Sequence, residues 1–372
     1  MKIVVLLLIA AAAATVEPMG LTVREGVVMK DGRAWRGIGV NYFDCFLRTL
    51  KNGDDTSYDA GFRTLAEYRI PFARFCATGF WPKDMALYQT NRTEYFRRLD
   101  GVVKVAEKHG VGLVPSLFWQ EACVPDLVGE PMDQWANPQS KTHAWMREYV
   151  REVVTRYRRS PAIWAWEFGN EYSLAANLPN AATHRPSVHP SLGTAAERSE
   201  RDDLTFEIVR VAFVEFAKAV REHDPDRLIV TGDSFPRLSA WHQKREKSWK
   251  TDTKEQFQEM LAGANPDPIS GISLHAYEDD DQRFPWAVEV AHKLKKPIFI
   301  GEFGAQKETP EQAAKFHRLL KAVCDSDIPL AALWVFDYPR QKDFNVVPGT
   351  ARAYQLEAIA ARNREWQEKK TP

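Results

Sequence analysis

The run Ile163-Trp164-Ala165-Trp166-Glu167-Phe168-Gly169-Asn170-Glu171 decides the fold: it is short, rich in β-formers and mostly apolar, and it ends on a carboxylate. A run of that length with apolar residues on both faces reads as a strand of a parallel sheet, buried on either side. Pro297-Ile298-Phe299-Ile300-Gly301-Glu302-Phe303-Gly304 repeats the design later in the chain, again with a glutamate at its C-terminal end. Further strand-like runs lie near 36–41, 70–75, 111–118, 228–232, 270–275 and 330–336, and between them stand amphipathic stretches such as Glu94–His109 and Leu204–Glu222. Eight strand–helix units predict an α/β protein, a (β/α)8 TIM barrel.

Ahead of the first unit, Leu21-Thr22-Val23 and Val27-Val28-Met29 alternate around Lys30-Asp31-Gly32-Arg33. This predicts a β-hairpin with an Asp-Gly turn, placed as an N-terminal cap on the barrel floor. Gly37-Ile38-Gly39-Val40-Asn41 lacks the further glycine of a dinucleotide loop, and no Walker motif, His-Glu-x-x-His helix or Gly-x-Ser-x-Gly elbow occurs. The irregular stretch Ala175–Arg201 follows Glu171 directly, and a loop of that length is expected to wall a cleft. With no linker or repeat beyond the alternation itself, residues 20–370 read as one domain. Met1-Lys2, the apolar Ile3–Ile9 and the alanines after them predict a signal peptide over residues 1–15, hence a secreted or periplasmic protein. No later run approaches the ~20 apolar residues of a membrane helix, so no membrane association is expected.

Lys plus Arg and Asp plus Glu both total 50, so no charge excess points to nucleic acid, and a neutral polymer suits the balance. The 12 Trp supply flat apolar faces of the kind sugar rings stack on, although most rings of this type belong to cores. Cys45, Cys76, Cys123 and Cys324 lack zinc-type spacing. The first three follow predicted strands, which leaves both one disulfide and buried free thiols open.

Barrel enzymes carry their chemistry at the C-terminal ends of the strands. One strand-end glutamate is ordinarily an ion pair at the rim. Two in matching contexts, on the predicted fourth and seventh strands, point instead to the paired acids that flank a glycosidic bond. Side chains alternate along a strand, so His275 and Tyr277 share a face, and Glu167 lies on the same side as Glu171 but deeper, as a buried partner for Arg74. Glu121, Asp44, Asp233 and Asp337 also follow strands but lack the surrounding motif.

Trp166-Glu167-Phe168-Gly169-Asn170-Glu171, His275-Ala276-Tyr277, Gly301-Glu302-Phe303-Gly304, Trp334 and Arg74 together resemble glycoside hydrolase family 5, the cellulase and mannanase family, in order and over nearly the whole chain. The resemblance implies a retaining β-glycosidase with Glu171 as acid/base and Glu302 as nucleophile. It further implies that Arg74 and Tyr277 keep Glu302 ionised, that Asn170 donates to the sugar 2-hydroxyl, and that Trp334 lies under the reacting sugar. Many members carry a His after the third strand where this chain reads Leu117-Phe118-Trp119-Gln120. Trp119 is expected to replace it, as an aromatic does in the mannanase-like branch, with Trp81 widening the platform and Asn41 and Tyr42 as further candidates. The expected substrate is a β-linked glycan of glucan or mannan type, with no cofactor, no metal and a monomeric enzyme. Two other readings stay open: an exo-acting β-mannosidase or transglycosylase, its cleft blocked by the long loop and the acidic 278–281 run, and a non-catalytic carbohydrate-binding barrel.

Overall fold

The computed structural model describes residues 19–278, 282–326 and 328–368. The segment expected to be a signal peptide and most of the acidic 278–281 run lie outside them. Eight parallel strands form the barrel: β4 (Gly37–Asn41), β5 (Phe72–Cys76), β6 (Gly112–Phe118), β7 (Ala165–Gly169), β8 (Leu228–Val230), β9 (Ile272–Ala276), β10 (Ile298–Phe303) and β11 (Leu330–Leu333). All are buried along their whole length. They pair in the order β8-β7-β6-β5-β4-β11-β10-β9, so the sheet curls almost fully round and leaves a seam between β8 and β9.

Serines bridge that seam. Ser273 Oγ accepts from the backbone N–H groups of Thr231 and Gly232 at 3.0 and 2.9 Å, and Ser270 Oγ accepts from Ile229 N at 2.9 Å. Helices connect the strands on the outside, and side chains mark their starts. Asn91, Ser140, Thr205 and Thr309 cap Arg92–His109, Lys141–Tyr157, Phe206–Arg221 and Pro310–Asp325 by accepting from the third N–H of each helix. No helix among the described residues is long and apolar enough to cross a membrane.

The N-terminal cap is present with one more strand than expected. β1 (Leu21–Arg24) pairs with β2 (Val27–Lys30) across Glu25-Gly26, and β2 pairs with the short β3 (Arg33–Ala34) across Asp31-Gly32. Both two-residue turns have positive φ throughout (49° and 82°, 51° and 73°), the primed geometry that matches strand twist and that Asp-Gly favours. Leu21 N donates to Trp164 O at 2.8 Å, and Leu21 and Val28 pack against Phe72, Val114, Trp164, Phe299 and Leu330, closing the barrel floor. Cys45, Cys76, Cys123 and Cys324 are all free thiols, the first three buried, which settles the alternative left open in favour of no disulfide.

Candidate active site

Alternation along the strands sends one side chain in two into the barrel, and at the mouth these inward positions are polar. Arg74 on β5 is the hub, fully buried. Its Nε donates to both oxygens of Glu167 at 2.7 and 3.0 Å, its Nη1 to Glu302 Oε1 at 2.9 Å and Asn41 Oδ1 at 3.0 Å, and its Nη2 to Asn170 Oδ1 at 2.8 Å. The face of Trp119 lies 4.2 Å from the guanidinium carbon. A buried charge is tolerated only when paired and fully hydrogen-bonded. Here one arginine meets two carboxylates, and Glu167 takes the deep structural place expected of it.

Glu302 comes inward through an irregularity. β10 is in register with β9 at Ile300↔Leu274 and again at Glu302↔His275, so Gly301 is an extra residue. This bulge moves Glu302 from the outer face to the inner one. A Cβ on Gly301 would stand 2.8 Å from His275 Nε2, and Gly301 O accepts from Asn41 Nδ2 at 2.8 Å, so glycine and asparagine together fix the bulge. Tyr277 OH donates to Glu302 Oε2 at 2.6 Å, giving both carboxylate oxygens a donor.

Glu171 follows β7 with φ +56°, in the left-handed region. Its side chain is about a third exposed (31%), and its Oε1 lies 2.9 Å from His275 Nδ1. Burial raises its pKa, against the opposing pull of Arg74 and Arg237. The charge of Glu302 is matched by Arg74. Burial also lowers His275 to about 4, so its ring is neutral at ordinary pH, with Nε2 buried and lacking a partner among the described residues. Glu171, His275 and Glu302 each offer an atom within 4.8 Å of one another, close enough to hold a cation, but Arg74 already supplies the positive charge there.

Two hollows meet at this group. The larger, about 650 Å³, is lined by Glu302, Tyr277, Trp334, Phe43, Tyr338 and Lys315 among others. The smaller, about 300 Å³, is lined by Glu121, His184, Arg237, Leu174 and Ala175. Phe80, Trp119, Asn170 and Glu171 belong to both. Trp334 Nε1 donates to Gln341 Oε1 at 2.7 Å, which holds its ring against Trp119 and Phe43.

The long loop walls the smaller hollow as expected, through Ala175 and His184, and is anchored by Arg198 bidentate to Asp126 at 2.7 Å. Trp81, expected in the platform, instead stands edge-on to Phe80 and His189 behind it, and Phe80 takes the lining position. Tyr42 donates to Asp337, whose carboxylate also pairs with Arg48, as does that of Asp44, so none of these three joins the acid pair. A further hollow of about 540 Å³ near the floor has Glu25 as its sole carboxylate, ion-paired to Lys295, and so offers no pair of acids.

The family model described as cellulase (glycosyl hydrolase family 5) matches residues 29–336. The chain belongs to glycosyl hydrolase family 5. Over 82 residues it is 42% identical to a probable mannan endo-1,4-beta-mannosidase F of Aspergillus flavus, a match that takes in 20% of this chain and 17% of that relative. Its fold is that of solved family 5 structures. The endo-1,4-beta-mannanase of Rhizomucor miehei superposes with a TM-score of 0.64 at 16% identity, over 92% of this chain and 99% of that one. A family 5 mannosidase of the same organism gives 0.66 at 14% identity, over 95% and 100%. The exo-beta-1,4-mannosidase of Opitutaceae bacterium strain TAV5 gives 0.61 at 17% identity, over 92% and 63%.

Proposed function

We propose that the protein is a retaining β-glycoside hydrolase acting on β-linked mannan or its oligosaccharides, with Glu302 as nucleophile and Glu171 as acid/base. The observation that carries this reading is the approach of the two carboxylates, each with an oxygen within 4.8 Å of the other, which suits the ~5–5.5 Å spacing of a retaining pair. Glu302 attacks the sugar carbon while Glu171 passes its proton to the departing glycosidic oxygen. With the glycosyl ester formed, Glu171 is ionised and takes a proton from the water that breaks the ester, which restores both groups. Asn170 has its Oδ1 engaged by Arg74, so its Nδ2 is the atom left to donate to the sugar. Trp334 and Trp119 offer apolar faces to the ring. Mannan is preferred to glucan because the relatives above are mannanases and mannosidases and because Trp119 stands where the family commonly has His.

Glu302 lines only the larger hollow and Glu171 lines both, so the larger takes the glycone and the smaller the leaving group. The loop around the smaller hollow keeps exo-action or transfer as a second reading, which sizing the products on mannan and manno-oligosaccharides decides. Replacing Glu302 by Ala should lower kcat on the order of 10⁵-fold with the fold intact. Glu171→Ala should keep activity on aryl glycosides whose leaving group needs no proton. A proton NMR time course should show the β-anomer first; an initial α-product would make the enzyme inverting. The N-terminus of the exported protein, determined by sequencing, tests removal of residues 1–15.

A further inference from the structure

Beyond the end of β7 the chain runs beside the residues that follow β8, and three alternate N–H groups tie the two together. Gly169 N donates to Thr231 O and Glu171 N to Gly232 O, both at 3.1 Å, while Ser173 N donates to Asp233 Oδ1 at 3.2 Å. The first two rungs are backbone, but the third is a carboxylate. Between them Glu171 is held at φ +56°, a conformation that a residue other than glycine keeps only when its surroundings impose it. Gly232 permits the close approach, since a Cβ there would lie 1.9 Å from Gly169 O.

Asp233 Oδ1 also accepts from Ser234 N at 3.1 Å, whereas Oδ2 is buried without a partner among the described residues. A neutral acceptor would serve the rungs equally well. We propose that Asp233 is a positioning residue for Glu171, holding its left-handed turn through the Oδ1 rung to Ser173 N. The proposal rests on the reading of Glu171 as acid/base.

The charges that bear on Glu171 come from other residues. Arg74 from β5 and Arg237 from the segment after β8 favour loss of its proton, and His275 from β9 is uncharged above about 4. Burial pushes Asp233 itself up to about 6, and a proton arriving on Oδ2 leaves the Oδ1 bonds in place. The hold on the turn is therefore the same with Asp233 charged or neutral.

The test compares Asp233→Asn with Asp233→Ala in the full-length enzyme, on a glycoside with a poor leaving group. Asp233→Asn keeps the acceptor and should keep most of kcat, with KM near that of the parent enzyme, and a loss as large as that of Asp233→Ala overturns the rung role. Asp233→Ser also keeps an acceptor and gives the same readout if Asn does not fold. Asp233→Ala, which removes the third rung, should lower kcat roughly tenfold at every pH, and unchanged kcat overturns the positioning role. Full activity of Glu171→Ala on the poor leaving group would instead overturn the acid/base reading itself, whatever Asp233 does.

Discussion

The floor and the mouth of this barrel are built from the same strands and obey opposite rules. β5 contributes Phe72 below and Arg74 above, β7 Ala165 below and Glu167 above, β10 Phe299 below and Glu302 above. At the floor the inward side chains are apolar, and Trp35, Phe72, Trp164 and Phe299 meet edge to face or tilted at 5.0 to 6.4 Å. That cluster gains from burial alone. At the mouth the inward side chains are ionised or hydrogen-bonded, and burial there is a cost that Arg74 offsets by pairing two carboxylates at once. Apolar burial is therefore concentrated at one end and buried charge at the other.

Removing the hub should produce the largest effect. Arg74→Met leaves Glu167 and Glu302 buried without their partner, and the expected cost is about 3–5 kcal/mol of unfolding free energy. Catalysis should fall at least ~10²-fold, because the charge beside Glu302, the proposed nucleophile, is gone. Adding Glu167→Gln takes away one stranded charge, so denaturant titration should show stability partly recovered while activity stays low. If the double variant is no more stable than the single one, the mouth is not limited by unpaired charge.

At the other end, Trp164→Ala should also cost about 3–5 kcal/mol, since it empties the middle of the floor cluster. Here, however, kcat of the folded enzyme should be unchanged, because Trp164 touches none of the acid network. A kcat that falls together with stability would mean that the two ends are coupled through the strands.

Much of this division was legible in the sequence, because it follows from the period of a strand. The eight apolar runs locate the barrel strands to within a few residues; 228–232 contains Leu228–Val230, and 330–336 contains Leu330–Leu333. Parity alone places Arg74 beside Glu167 and His275 on the same face as Tyr277. It fails for Glu302: counting from Phe299, which points inward, strict alternation sends Glu302 outward. The bulge at Gly301 reverses this, and a glycine inside a strand pattern is the signal that could have announced it. The place of Trp81 was not readable, since an exposed ring and a ring supporting a loop have the same sequence neighbourhood. Nor was Asp233, whose role depends on a rung formed with a segment far away in the chain.

Between the two ends lies the seam, and Ser273 gives the smallest and most discriminating test. It sits in register with the floor residue Phe299 and two positions before His275, so it belongs to the layer that joins floor to mouth. Its hydroxyl is the acceptor for two buried N–H groups, those of Thr231 and Gly232. Ser273→Ala strands both donors, at an expected cost of about 1–3 kcal/mol. Hydrogen exchange should quicken at Thr231 and Gly232 before it quickens at Phe72 or Phe299. Because Gly232 O also accepts from Glu171 N, a few-fold loss of kcat should accompany the change. Loss of stability with kcat untouched would place the seam with the floor, and loss of kcat with little change in stability would place it with the mouth.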